Sequence, residues 1–112
     1  MSTAIANVIQ QISQSSTLKG VDLANITHAS TATVSRWKKG KATPNTDTQL
    51  ILSDLRYVVD TLSEYYSPDE IRLWLYADNH LLAGKKAIDL IHNQQTDEVL
   101  DAIERLASHA FL

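Results

Sequence analysis

An all-α chain is predicted by three features of the sequence. Apolar residues recur at helical spacing, as in Ile5, Val8, Ile9 and Ile12 or Val99, Leu100, Ile103 and Leu106, so that each set lines one face. Helix starts are marked chemically: Ser67-Pro68-Asp69-Glu70 sets a capping serine, a proline at the first helical position and a glutamate that reaches back. The alternation of a half-buried strand is found nowhere. With 112 residues, 44% of them hydrophobic and 21% charged, the chain can bury one core or two small ones.

The elements follow in order. Thr3 to Ser16 is a helix with Ile5, Val8, Ile9 and Ile12 inward and only amides and hydroxyls outward. Gly20 to Thr27 is amphipathic through Val21, Leu23, Ala24 and Ile26. A tight corner leads to a helix from Ser30, a good N-cap, to Lys39, with Gly40 as C-cap. Its buried stripe is Val34 and Trp37, and its open face carries Thr31, Thr33, Ser35, Arg36, Lys38 and Lys39. Pro44 and Asn45 make Lys41 to Thr46 a loop.

A long helix is expected from Asp47 to Tyr66, striped by Ile51, Leu52, Leu55, Val58, Val59, Leu62 and Tyr65 or Tyr66. The stripe can be covered by both halves of this chain or by a second copy. After Ser67 a short helix runs through Ile71, Trp74 and Leu75, then YADNHLLAGKKA reads as a break. A helix through Ile88 and Ile91 to Asn93 and a last one capped by Thr96 bring the total to about seven. Asp97 and Glu98 sit where the last helix's dipole favours anions. The expected division is residues 1–46 as one helical unit, 47–66 as a connecting helix, and 67–112 as a second helical unit.

Charge divides the chain unevenly. Up to Asn45, five cations against Asp22 leave +4; from Thr46 on, five cations against twelve acids leave −7. Arg36, Lys38, Lys39 and Lys41 form a cluster that phosphates would repay through counterion release. The acidic second half suits a protein surface rather than DNA.

Leu23-Ala24, Ala29-Ser30, the run Val34-Ser35-Arg36-Trp37-Lys38-Lys39-Gly40 and Pro44 together resemble the helix-turn-helix of Xre/Cro-family DNA-binding proteins. The second half resembles the toxin-binding domain of Xre/MbcA/ParS-type antitoxins. Trp74-Leu75, Asn79, Leu82, Gly84, Asp89-Leu90-Ile91, Asp97-Glu98-Val99-Leu100, Ile103, Leu106 and Ala110-Phe111 carry that likeness. Ala87 stands where that family commonly has proline, His92-Asn93-Gln94 replaces a turn that usually contains glycine, and His109 replaces a frequent glycine.

The resemblance implies a type II antitoxin: a dimer that represses its own operon and covers the active-site cleft of a RES-domain toxin that degrades NAD. It implies DNA contacts from Thr31, Thr33, Arg36 and Lys38, with Lys39 and Lys41 on phosphates; Lys19, Ser30 and Ser35 flank them. It implies toxin contacts from Trp74, Asn79, Leu82 and Gly84 and from His109, Ala110, Phe111 and Leu112. The alternative is a stand-alone Xre-family regulator whose second half dimerises or binds another partner.

Catalysis is not expected. His28, His80, His92 and His109 form no HExxH or other metal-ligand pattern, and there is no phosphate-binding glycine loop. Asp69-Glu70 and Asp97-Glu98 are explained by their helix starts. Without cysteine there is no disulfide framework, thiolate zinc site or cysteine nucleophile, and neither a metal nor a cofactor is expected. The opening MSTAIANVIQQ lacks the basic and apolar regions of a secretory signal, and no stretch approaches the roughly 18 apolar residues of a membrane span. A cytoplasmic protein is therefore expected.

Overall fold

The computed structural model describes residues 3–110. Seven α-helices make up its frame: α1 Thr3–Ser15, α2 Gly20–Thr27, α3 Thr31–Lys38, α4 Thr46–Leu62, α5 Pro68–Tyr76, α6 Ala87–His92 and α7 Thr96–Ala110. Between α5 and α6 lie two short strands, β1 Asp78–Asn79 and β2 Lys85–Lys86, joined through a 3-10 turn at His80–Leu82. The molecule measures 47 × 23 × 19 Å. Among the described residues no helix is long and apolar enough to cross a membrane.

The core is built around α4. Ile51, Leu52, Leu55, Val58, Val59 and Leu62 are all buried, which places them on the stripe their spacing predicts. That stripe is covered by α1 toward its start and by α6 and α7 further along. A second layer forms where α2 packs on α3 and on α6. The buried apolar residues form one continuous cluster from Ile5 to Ile103. Each fully buried aliphatic side chain contributes about 1.5 to 3 kcal/mol by leaving water.

Caps fix the helix starts as the residue types suggest. Ser30 Oγ accepts the Thr33 N–H at 3.0 Å, and Asn45 Oδ1 accepts that of Thr48 at 2.9 Å. At α5 the capping box closes in both directions, with Ser67 N–H on Glu70 Oε1 at 2.8 Å and Glu70 N–H on Ser67 Oγ at 3.3 Å. Hydrogen bonding of the carboxyl to the Ser67 N–H and the Ser67 side chain holds Glu70 below its ordinary value.

Four expectations need correction. First, the chain is not free of strand: Asp78 pairs with Lys86 and Asn79 with Lys85 in an antiparallel ladder. The ladder is too short for alternation to register in the sequence. It is held by positive φ at Ala83 and Gly84, by the Asn79 side chain accepting the Leu81 N–H, and by a 3.1 Å Lys86–Asp78 ion pair. Second, α4 ends at Leu62, where the bonds tighten to i→i−3, with the Glu64 and Tyr65 amides on the Thr61 and Leu62 carbonyls. Third, Val21 is 53% exposed rather than part of the apolar face of α2. Fourth, Thr96 is the first residue of α7, and its hydroxyl donates to Asp54 Oδ2 at 2.8 Å instead of capping.

Candidate DNA-facing and partner-facing surfaces

On α3 the short polar residues and the arginine are linked. Ser30 Oγ donates to Thr33 Oγ1 at 2.8 Å, and Arg36 Nη2 donates to the same oxygen at 3.3 Å. Ser30, Thr31 and Arg36 are exposed, and Thr33 and Ser35 are half-buried. Lys39 and Lys41 are exposed just beyond, and Gly40 takes φ +70, which turns the chain out of the helix. Lys38 leans the other way: its Nζ lies 3.4 Å from the position a Cβ on Gly20 would occupy, beside α1 and the start of α2. Lys19, also exposed, precedes that same start. The predicted residues thus fall into two groups, one on the open face of α3 and one over the α1–α2 junction.

Behind this surface α2 is joined to the second half of the chain by polar contacts. Asp22, only 1% exposed, accepts the Lys19 N–H on Oδ2 at 2.8 Å. Its Oδ1 accepts the Tyr76 hydroxyl at 2.7 Å and Arg72 Nη2 at 3.2 Å. Burial pushes the Asp22 carboxyl up, but the bonds from Lys19, Tyr76 and Arg72 and the guanidinium charge outweigh it and hold the group below its ordinary value. Burial, together with the neighbouring carboxylate, pushes the Tyr76 phenol up. Arg72 lies 4.9 Å from the centre of the Tyr76 ring, and Asn25 Nδ2 donates to the Tyr76 oxygen at 3.1 Å. One turn on, His92 Nδ1 donates to the Ile26 carbonyl at 2.9 Å, and the rings of His28 and His92 stack with centroids 3.5 Å apart.

None of these joining residues stood out in the sequence. Asp22 is a single acid on a short helix, and its partners are fifty and fifty-four residues away. The one available signal was an acid inside the apolar pattern of α2.

The predicted partner residues are distributed around the hairpin and the last helix. Trp74 is half-buried against the core beside Leu73, which is 66% exposed. Asn79 spends its side-chain oxygen on the hairpin, and Leu82 is 5% exposed, so its side chain is part of the core. Gly84 is exposed at φ +82. Arg105 of α7 clamps this segment by donating to the Leu81 carbonyl at 3.1 Å. Phe111 and Leu112, and the side chains of His109 and Ala110, lie outside the described residues.

Further back along α7, a cleft of about 260 Å³ opens between Tyr57, Thr61 and Tyr65 on one side and Leu100, Ile103, Glu104 and Ala107 on the other. It continues past Tyr66 and Leu106. Among the described residues no group of three histidine or acidic side chains is placed to hold a metal ion.

No family model matches the chain. Individual relatives do match. It is 31% identical over 91 residues to the mycobacterial cidal antitoxin MbcA of Mycobacterium tuberculosis and of Mycobacterium bovis, covering 81% of this chain and 80% of the relative. A probable mycobacterial cidal antitoxin of Mycobacterium tuberculosis is 30% identical over 92 residues, covering 82% of this chain and 78% of the relative. The fold matches a chain in the crystal structure of the M. tuberculosis MbcT–MbcA toxin–antitoxin complex, with a TM-score of 0.78, 27% identity, and 99% and 96% of the two chains covered. The likeness therefore runs through both halves and includes the hairpin and α7. On this identity and coverage the chain belongs to the MbcA family of antitoxins, which are not enzymes.

Proposed function

We propose that this chain is the antitoxin of a type II toxin–antitoxin pair, that its second half binds a cognate RES-domain toxin, and that its first half represses the operon encoding both. The observation that carries the reading is the near end-to-end match to a chain of the MbcT–MbcA toxin–antitoxin complex at 27% identity. Blocking an NAD-degrading active site asks only for a surface that fills the toxin's cleft. In this reading the Trp74–Gly84 segment and the end of α7 form that surface. Because Leu82 is buried and Asn79 is engaged within the hairpin, these two hold the segment in shape, while Trp74, Gly84 and the residues from His109 to Leu112 meet the toxin.

In the same proposal α2 and α3 form an Xre/Cro-like helix-turn-helix with α3 in the major groove. Ser30, Thr31, Thr33, Ser35 and Arg36 face the bases. Lys39 and Lys41 meet phosphates on that side, and Lys19 and Lys38, over the α1–α2 junction, meet the neighbouring backbone. Two copies binding a palindromic operator make the working unit a dimer, and binding to chromosomal DNA places it in the cytoplasm. Support comes from the charge asymmetry: among the described residues, the five cations of the first half form no ion pair, whereas Arg56, Arg72, Lys86 and Arg105 of the second half all do.

The test is a pull-down from the native host with the tagged full chain and with a version ending at Ser108, followed by mass spectrometry. The full chain is expected to retain a stoichiometric RES-domain protein that the shortened one loses. If neither version retains such a protein while both bind operator DNA, the chain is a stand-alone regulator.

A further inference from the structure

The linked side chains on α3 bear on which base the helix reads, granted the proposal that α3 enters the major groove. A hydroxyl has one hydrogen to give and two lone pairs to fill. Thr33 Oγ1 already receives two donors, Ser30 Oγ at 2.8 Å and Arg36 Nη2 at 3.3 Å. Its only remaining capacity is to donate. Ser30 Oγ gives its hydrogen to Thr33 and accepts the Thr33 N–H at 3.0 Å, so both residues are held by the cap of their own helix.

Arg36 then has one of its five N–H donors fixed on Thr33 and four left over. No carboxylate competes for them. From Leu23 to Thr46 the sequence has no acid at all, and Arg36 is the one arginine without an ion-pair partner among the described residues. The Thr33–Arg36 pair therefore offers donors only. In the major groove, guanine presents two adjacent acceptors, O6 and N7, whereas adenine, thymine and cytosine each place a donor or a methyl group there. A donor-only edge fits guanine and leaves the amino group of adenine facing another donor.

We infer that Arg36 reads a guanine in the operator half-site through O6 and N7, with Thr33 and Ser30 as the positioning residues that aim its guanidinium. Arg36 is exposed, so replacing it is expected to leave the fold intact.

The experiment selects duplexes from a random library with the full-length protein and then replaces each guanine of the selected half-site in turn by 7-deazaguanine, which keeps base pairing and removes N7. For the wild type, one replacement is expected to weaken binding several-fold, a part of the about 5- to 150-fold that a complete bidentate base contact is worth, because O6 remains. Arg36→Ala should bind the unmodified duplex correspondingly more weakly and show no further loss with 7-deazaguanine at that position. Thr33→Val should reduce the preference for guanine over adenine there while keeping the salt dependence of binding, since phosphate contacts are untouched. The inference is overturned if no replacement affects the wild type, or if Arg36→Ala keeps the full sensitivity to 7-deazaguanine. Failure to select any duplex would overturn the DNA-binding reading itself and the inference with it.

Discussion

The Tyr76 hydroxyl stands 2.7 Å from Oδ1 of Asp22. A side chain from α5 thereby completes the hydrogen bonding of a carboxylate on α2, which is otherwise met by Lys19 N–H and Arg72. The first and second halves of the chain are joined at this buried acid.

Removing the acid leaves its three donors without a partner. Asp22→Ala is expected to destabilise the protein by about 2 to 4 kcal/mol, because bonds to a buried charge are among the costlier ones to lose. Tyr76→Phe, which deletes one donor and keeps the ring under Arg72, should cost about 1 to 2 kcal/mol. Urea unfolding measures both, and equal losses for the two variants would mean that the carboxylate is not the hub.

The same site sets an acid limit. The folded Asp22 carboxyl lies below its ordinary value of 3.8. Its ionised form is therefore favoured in the folded state, so the contribution is complete above pH ~5, about a unit above the ordinary value, and is lost as pH falls toward and through the lower, folded value. Wild type should lose stability between pH 5 and pH 2.5 more steeply than Asp22→Asn in parallel urea titrations. Matching slopes would show that Asp22 does not supply this linkage.

Gln94 follows α6 with φ +59, in the turn where the resembling family usually has glycine. Left-handed backbone costs a side-chain-bearing residue about 1 to 2 kcal/mol, offset in part by the extra freedom glycine brings to the unfolded chain. Gln94→Gly is therefore expected to raise stability by about 0.5 to 1 kcal/mol. Gly84, at φ +82 with nothing within 4 Å of an added Cβ, gives the opposite case: Gly84→Ala should cost about 1 kcal/mol through backbone strain alone. Thermal melts that reverse either sign would contradict these backbone conformations.

Leu55, at the middle of α4, is fully buried. Leu55→Ala should cost about 2 to 5 kcal/mol, since the surrounding helices cannot close the cavity completely. If the shared core unfolds as one unit, circular dichroism and the fluorescence of Trp37 and Trp74 should report the same midpoint in this variant. Separate midpoints would mean that the two halves unfold independently.

How much of this was legible depends on the range of the interaction. Ile5, Ile9, Ile12 and the α4 stripe are visible because helical periodicity is local, and the caps Ser30 and Ser67 because a cap acts within three residues; Asn45 reads only as a turn residue and proves to cap α4 as well. The β1–β2 pairing escaped because each strand has only two residues and its turn is set by Ala83 and Gly84 rather than by a marked hairpin sequence. Thr96 was read as a cap because threonine commonly serves as one; its bond to Asp54, forty-two residues earlier, exists only once α4 and α7 are packed. The two site surfaces were partly legible. Arg36 and the lysines announce themselves by charge, whereas the turning of Lys38 toward Gly20 and the inward placement of Leu82 are consequences of packing.

The proposed antitoxin action is best tested by following NAD in cells that express a RES-domain protein encoded in the same genome, the proposed toxin, alone or with this chain. With the chain present, NAD is expected to stay near its uninduced level, and the version ending at Ser108 should fail to protect it. NAD that falls equally fast with and without the full chain, at comparable expression of both proteins, would contradict the antitoxin assignment.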